Sequence, residues 1–189
     1  MNRKILAIAP LLVFAFVCVF LYQGLFANPR EIQTGRLGQE MPAFNLPDLM
    51  QDNKQWTNES LKGEVYLLNV WGTWCPTCLV ELGYLTKLRE QGVKIIGLYY
   101  VQGYDADFDG PFDMQSLRSE VTDMLQRAGD PYQFNILDLH RTLSLDLGVS
   151  GAPETFLVDK NGTILLHHTG DINPRVWRAK FAPIMQELK

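Results

Sequence analysis

The longest hydrophobic stretch is at the N-terminus, where Ile5 to Phe26 carry no charge. A helix crosses a bilayer with ~20 apolar residues, whereas the apolar core of a cleaved leader is usually ~7–15. Arg3 and Lys4 precede the stretch, so the short N-terminal side is expected to stay cytoplasmic and the rest to lie across the membrane. Leu25-Phe26-Ala27 is a poor small-x-small cleavage site because Leu25 is large. The pattern predicts an uncleaved single-pass anchor over 1–27, a polar linker over 28–42 with Gly35, Gly38 and Pro42, and one folded domain over 43–189.

Beyond Pro42 the period changes. Ala43 to Leu46, a polar turn and Trp56-Thr57 suggest a hairpin-like addition. Val65 to Trp71 reads as a continuous apolar run between Gly63 and Gly72, the pattern of a strand buried on both faces. Leu79, Leu82, Leu85 and Leu88 then recur at helical spacing on one side, and Gly92 ends that helix. Val93 to Tyr100 is a second buried strand, which makes a right-handed βαβ unit. Residues 102–113 read as a surface loop and Met114 to Ala128 as an amphipathic helix. Phe134 to Leu137 is a short strand and Arg141 to Leu147 a short helix. Asn161-Gly162, between Thr155–Val158 and Thr163–His168, is a strong hairpin signal. Pro174 opens a last helix that Pro183 should kink or split. The order predicts an α/β fold with a mixed central sheet and helices on both faces.

Composition changes this picture little. Of 189 residues, 47% are hydrophobic and 20% charged, and the net charge is −4, with no basic stripe of the kind nucleic acid requires. The chemistry enters with the 3 cysteines. Cys18 lies in the apolar N-terminal stretch and reads as a small hydrophobe or a lipid-facing thiol. Cys75 and Cys78 form a CxxC whose loop is too short to staple a fold. Placed where a strand hands over to a helix, Cys75 has the free N–H groups and positive dipole end that stabilise a thiolate. Pro76 suits the first helical turn, and Cys78, one turn on, can resolve a mixed disulfide. Zinc would need four ligands, yet no second CxxC exists and His140, His167 and His168 are remote in sequence. Leu79 after the second cysteine argues against covalent haem, and Gly72 against a peroxidase of the peroxiredoxin kind. No metal or cofactor is expected.

The run Trp71-Gly72-Thr73-Trp74-Cys75-Pro76-Thr77-Cys78 resembles the active-site segment of thioredoxin-like proteins. Gly148 to Asp159, with Gly151-Ala152-Pro153-Glu154-Thr155 at its centre, and Gly170-Asp171-Ile172-Asn173-Pro174-Arg175-Val176-Trp177 narrow the match. Together they are similar to the thiol:disulfide interchange proteins of cytochrome c biogenesis, the DsbE/CcmG family, related to TlpA and ResA. The resemblance implies a thioredoxin-like fold and a monomeric protein-disulfide reductant at the inner membrane, with its C-terminal domain in the periplasm. Apocytochrome c, or a thiol protein of its maturation, would be the substrate. A transmembrane carrier of the DsbD/CcdA type would be the electron donor. A broader-range periplasmic reductase and a non-catalytic module that holds apocytochrome or haem are the alternatives.

The resemblance also assigns supporting roles. Pro153 matches the cis proline opposite the active site, with Ala152 offering backbone hydrogen bonds to an extended substrate. Glu81 and Glu154 would tune the thiols or carry protons for Cys78, with a solvated helix charge as the other reading of Glu81. Trp74 reads as a partly exposed lid beside Cys75, or as core packing, and Trp71 as core. Only one of His167 and His168 can face inward, in a structural role. Asp171, Asn173 and Arg175 read as a cap and surface for the last helix.

Overall fold

The structure, a computed structural model, describes residues 3–26, 35–105 and 108–188, with side chains of the first helix described over 10–23. The chain divides into two units, 1–32 and 33–189. The first contains helix α1 (Arg3–Phe26), whose large apolar side chains from Leu11 to Tyr22 are exposed. Among the described residues no helix is long and apolar enough to cross a membrane. The expected anchor end at 27 and the first part of the linker, 28–34, lie outside the described residues.

The second unit is built on a sheet of β3 (Tyr66–Trp71), β4 (Ile95–Tyr100), β5 (Asn135–Asp138), β6 (Glu154–Val158) and β7 (Ile164–Thr169). Their spatial order is β5-β4-β3-β6-β7. β3 pairs parallel to β4 and antiparallel to β6, so the sheet is mixed, as the element order predicts. β4 and β5 are parallel, and β6 and β7 form the expected hairpin. Its turn needs Gly162, at φ 89°, where only a residue without Cβ is unstrained.

Alternate residues of the strands feed two cores. Leu67, Trp71, Ile95, Tyr99 and Leu157 face α2 (Pro76–Glu90), α3 (Met114–Ala128) and the C-terminal helices. Leu68, Val70, Ile96, Leu98 and Phe156 face α4 (Thr142–Asp146) through Leu143. The buried face of α2 is Cys78, Glu81, Leu82, Leu85 and Leu88, while Leu79 is 45% exposed. This corrects the leucine stripe read from the sequence. A three-residue spacing falls short of the 3.6-residue turn, so Leu79 drifts off the face that Leu85 and Leu88 occupy.

The predicted hairpin-like addition exists as β1 (Asn45–Pro47) and β2 (Gln55–Thr57), paired antiparallel. Asp48 closes its turn, and the backbone at Asp48 and Leu49 meets the β5 edge. The buried Asp48 carboxyl accepts from the backbone N–H groups of Met50 and Gln51 and from the Trp56 indole, at 2.8–2.9 Å. The Leu49 amide donates to the Asn135 carbonyl at 2.8 Å. Part of the expected linker, from Gly38 to Met41, pairs with the folded unit. The Gly38 and Met41 amides donate to the Ile164 and Gly162 carbonyls at 2.8 Å, which covers the β7 edge.

At the C-terminus α5 (Pro174–Val176) passes into a π-helical turn, Trp177–Phe181, and then α6 (Ala182–Glu187). Pro183, which has no N–H to donate, accounts for the expected split at this point. Asn173 caps α5, its side chain accepting from the Arg175 and Val176 amides, as expected. Replacing Asp48 strands three donors at the hairpin. Asp48→Ala is expected to lower stability by about 1–3 kcal/mol, read as a lower urea midpoint of the full chain at unchanged slope.

Candidate active site

β3 ends at Trp71 and α2 begins at Pro76, so Cys75 is the residue that caps the helix. Its φ and ψ are −104° and 101°, and its Sγ accepts the Cys78 amide hydrogen at 3.1 Å. The first turn of α2 has no acidic residue and the last carries Lys87 and Arg89, which leaves the positive end of the helix unopposed at the sulfur. Cys75 and Cys78 are joined in a disulfide with Cα atoms 5.3 Å apart. Cys75 retains 3% of its surface and Cys78 none, so attack from outside has to fall on Cys75. Pro76 and Thr77 are exposed beside the pair.

Trp74 is half-buried, between the two alternatives weighed for it. Its indole donates to the Tyr100 carbonyl at 2.9 Å and its ring packs on Tyr100 at 4.8 Å. It therefore borders the disulfide as a fixed wall tied to the end of β4. Ala152 packs against the core that contains both cysteines. The Ala152–Pro153 peptide bond is cis, as the resemblance implies. Neither backbone polar group of Ala152 has a backbone partner among the described residues, which leaves both available to an extended substrate.

Glu81 is not a solvated helix charge. Only 2% exposed, it lies on the buried face of α2 one turn beyond Cys78. Its Oε1 accepts from Asn69 Nδ2 at 3.0 Å and its Oε2 from the Ile172 amide at 2.8 Å. Burial pushes its carboxyl up to about 7, with the Asp171 charge adding to the rise and the two hydrogen bonds opposing it. Glu81 can therefore hold or release a proton near neutral pH directly behind the thiol pair.

Glu154 is placed differently. One oxygen accepts from the Ser150 amide, the Ser150 hydroxyl and the Gly151 amide at 2.7–3.0 Å, and the other lies 2.7 Å from His167 Nε2. Burial pushes this carboxyl up, but the bonds from His167 and Ser150 outweigh it and hold it below the usual carboxylate range. Glu154 is an ionised anchor that fixes the loop carrying Ala152 and Pro153. The sequence assigned both acids one shared role, and their environments separate them. His167 is the inward member of its pair, in a structural role as expected.

Asn69 and Tyr132 are site residues that the sequence did not single out, and Thr155 is one that it marked only as part of the family segment. Tyr132 donates to Asn69 Oδ1 at 2.7 Å, and Asn69 Nδ2 reaches both Glu81 and Thr155 Oγ1 at 3.0 Å. The signal was present, since Asn69 is a polar residue inside a run taken as continuously apolar. In register with it lie Thr155 on β6 and Gly97 on β4. A Cβ at Gly97 would collide with the Asn135 side chain and come within 2.7 Å of the Trp71 indole nitrogen. Those two groups hydrogen-bond to each other at 2.9 Å.

The raised carboxyl of Glu81 has a consequence for stability. Its folded-state affinity for a proton exceeds that of the unfolded chain, so its ionisation costs stability as pH rises from about 4.5 through about 7. When pH is raised from 5 to 8, the oxidised wild-type protein is expected to lose about 2–3 kcal/mol of stability relative to Glu81→Gln. Urea unfolding of both at the two pH values measures it.

The Redoxin family profile matches residues 36–182. The thiol:disulfide interchange protein DsbE of Pseudomonas aeruginosa is 42% identical over 188 residues, covering 100% of this chain and 96% of that protein. The Escherichia coli K12 protein of the same name is 36% identical over 193 residues, covering 99% and 96%. The thio-disulfide isomerase of Thermus thermophilus superposes with a TM-score of 0.60 at 19% identity, over 81% of this chain and 98% of that one, and speaks for the fold alone. With a CxxC disulfide at a helix N-terminus on a thioredoxin-like sheet, the chain belongs to the DsbE thiol:disulfide interchange proteins of the Redoxin family, and it is a protein-disulfide oxidoreductase.

Proposed function

We propose that this oxidoreductase works as a reductant, tethered by its N-terminal helix to the inner membrane with the thioredoxin-like unit in the periplasm. Its substrate is the CxxCH disulfide of apocytochrome c, or a thiol protein of cytochrome c maturation. A transmembrane carrier of the DsbD/CcdA type restores its thiols, and it acts as a monomer. The apolar stretch from Ile5 to Phe26 behind Arg3 and Lys4 supports the tether.

The observation that carries the direction is Glu81. A strongly oxidising CxxC is one whose reduced, thiolate form is stabilised. Here a buried carboxyl stands behind Cys78, and its charge disfavours a thiolate there. In the forward reaction the Cys75 thiolate attacks a substrate sulfur, and one substrate thiolate leaves and takes a proton from water. Cys78 then attacks the Cys75 sulfur of the mixed disulfide. Its thiol proton passes to Glu81, the second substrate sulfur leaves as a thiolate that takes a proton from water, and the protein disulfide closes. Two electrons have moved from the protein to the substrate.

A reduction potential near ~ −270 mV, on the scale where strong oxidants stand near ~ −120 mV, is the expected result, and a value near the latter overturns the reductant reading. Cys78→Ala should trap a mixed disulfide through Cys75. Recovery of apocytochrome c or a maturation thiol protein in that trap is expected, and recovery of a broad set of periplasmic proteins instead points to a general reductase. Deleting residues 5–26 should move the protein out of the membrane fraction.

A further inference from the structure

Behind the disulfide lies a chain of buried polar groups in which each member fixes the next. Tyr132 is 2% exposed, and its ring stacks on Trp71 with centroids 4.9 Å apart. Its hydroxyl donates to Asn69 Oδ1 at 2.7 Å. That bond decides which way round the Asn69 amide sits. With the oxygen turned to Tyr132, the NH2 group must face the other way, and its two hydrogens go to Glu81 Oε1 and Thr155 Oγ1, both at 3.0 Å. Asn69 is fully buried, so no water can take over any of these bonds. Turning the amide over would leave the Tyr132 hydroxyl without an acceptor, at the cost of a buried unsatisfied group.

We propose that Tyr132 is a positioning residue for thiol–disulfide exchange: by locking the Asn69 amide it makes Asn69 a hydrogen-bond donor to Glu81 and so favours the Glu81 carboxylate. Without the tyrosine hydroxyl, Asn69 Oδ1 loses its partner and the amide is free to present oxygen to Glu81. An amide oxygen there accepts from a protonated carboxyl and repels an ionised one. Tyr132 is suited to the task because its phenol never ionises at working pH: burial, then the charges of Glu81 and Asp130, raise it well above its ordinary value. The remaining titratable groups around Glu81 are Cys78 on its own helix and Asp171 next to the Ile172 amide. Neither touches Asn69 or Tyr132, so the lock is separable from them.

The test uses Tyr132→Phe in the full-length chain, which keeps the ring on Trp71 and removes the hydroxyl alone. In the oxidised protein the two active-site cysteines do not titrate, so the carboxyl ¹³C resonance of Glu81 reports its proton affinity directly. The expected midpoint in Tyr132→Phe is higher by about one pH unit, a tenfold gain in proton affinity. An unmoved or lowered midpoint overturns the inference.

A second readout rests on the proton-carrying role given to Glu81 above. The rate of substrate reduction should rise with pH through the Glu81 midpoint, and Tyr132→Phe should displace that rise to higher pH. In a Glu81→Gln background Tyr132→Phe should then leave the profile where it was. A merely structural loss would instead lower the rate at every pH in both backgrounds, and this result counts against a positioning role. If Glu81→Gln alone leaves the wild-type profile intact, the proton-carrying reading falls, and the resonance of Glu81 still decides the role of Tyr132.

Discussion

Glu81 joins three elements that are far apart in the sequence. Its backbone belongs to α2, one oxygen accepts from Asn69 in the middle of β3, and the other accepts from the Ile172 amide after β7. A carboxyl with 2% of its surface exposed cannot be left to chance in an apolar core, because each unmade bond would cost more than a made one returns. The three attachments therefore set the height of α2 on the sheet, and with it the place where Cys75 and Cys78 emerge. The middle of β3 and the turn before α5 are both tied to that one group.

The four buried acids among the described residues show how environment divides one kind of side chain into two uses. Asp48, Asp138 and Glu154 each gather donors from a nearby turn. Asp138 takes the Ser144 amide and hydroxyl and the Thr142 hydroxyl, at 2.7–3.2 Å, and so holds the start of α4. Asp48 holds the added hairpin, and Glu154 holds the loop that carries the cis proline. These acids act as bolts, and at Glu154 the bonds from His167 and Ser150 favour the ionised form. Glu81 has donors too, but only one per oxygen, and desolvation prevails over them. Its proton can move near neutral pH, and it lies one turn beyond Cys78 on the buried face of α2.

Thiol chemistry at such a pair depends on opposing influences at close quarters. The amide of Cys78 and the start of α2 favour charge on the Cys75 sulfur. The carboxyl of Glu81 disfavours charge on Cys78 behind it. An attacking outer sulfur and a reluctant inner one divide the two steps of disulfide exchange between the cysteines. The mixed sheet matters here because β3 places Asn69 on the α2 face, while β6, running antiparallel beside it, brings Thr155 level with Asn69.

The sequence by itself determined the elements and the redox pair. Long apolar strands, the Asn161-Gly162 turn, Pro174 and Pro183, and a CxxC at a strand-to-helix junction each carry their meaning in local chemistry, since propensity, turn geometry and helix dipole act over a few residues. The resemblance of Gly151 to Thr155 added the cis proline. Tertiary structure alone decided what lies behind the cysteines. Whether Glu81 met water or Asn69 depends on partners 12 and 91 residues away in sequence. Whether Leu79 lay on the core face depends on how α2 seats on the sheet, and the anchoring of Glu154 needs His167 on the next strand as well as Ser150 and Gly151 nearby. No local pattern encodes such distances, because hydrogen bonding and desolvation are set by what the folded chain brings together.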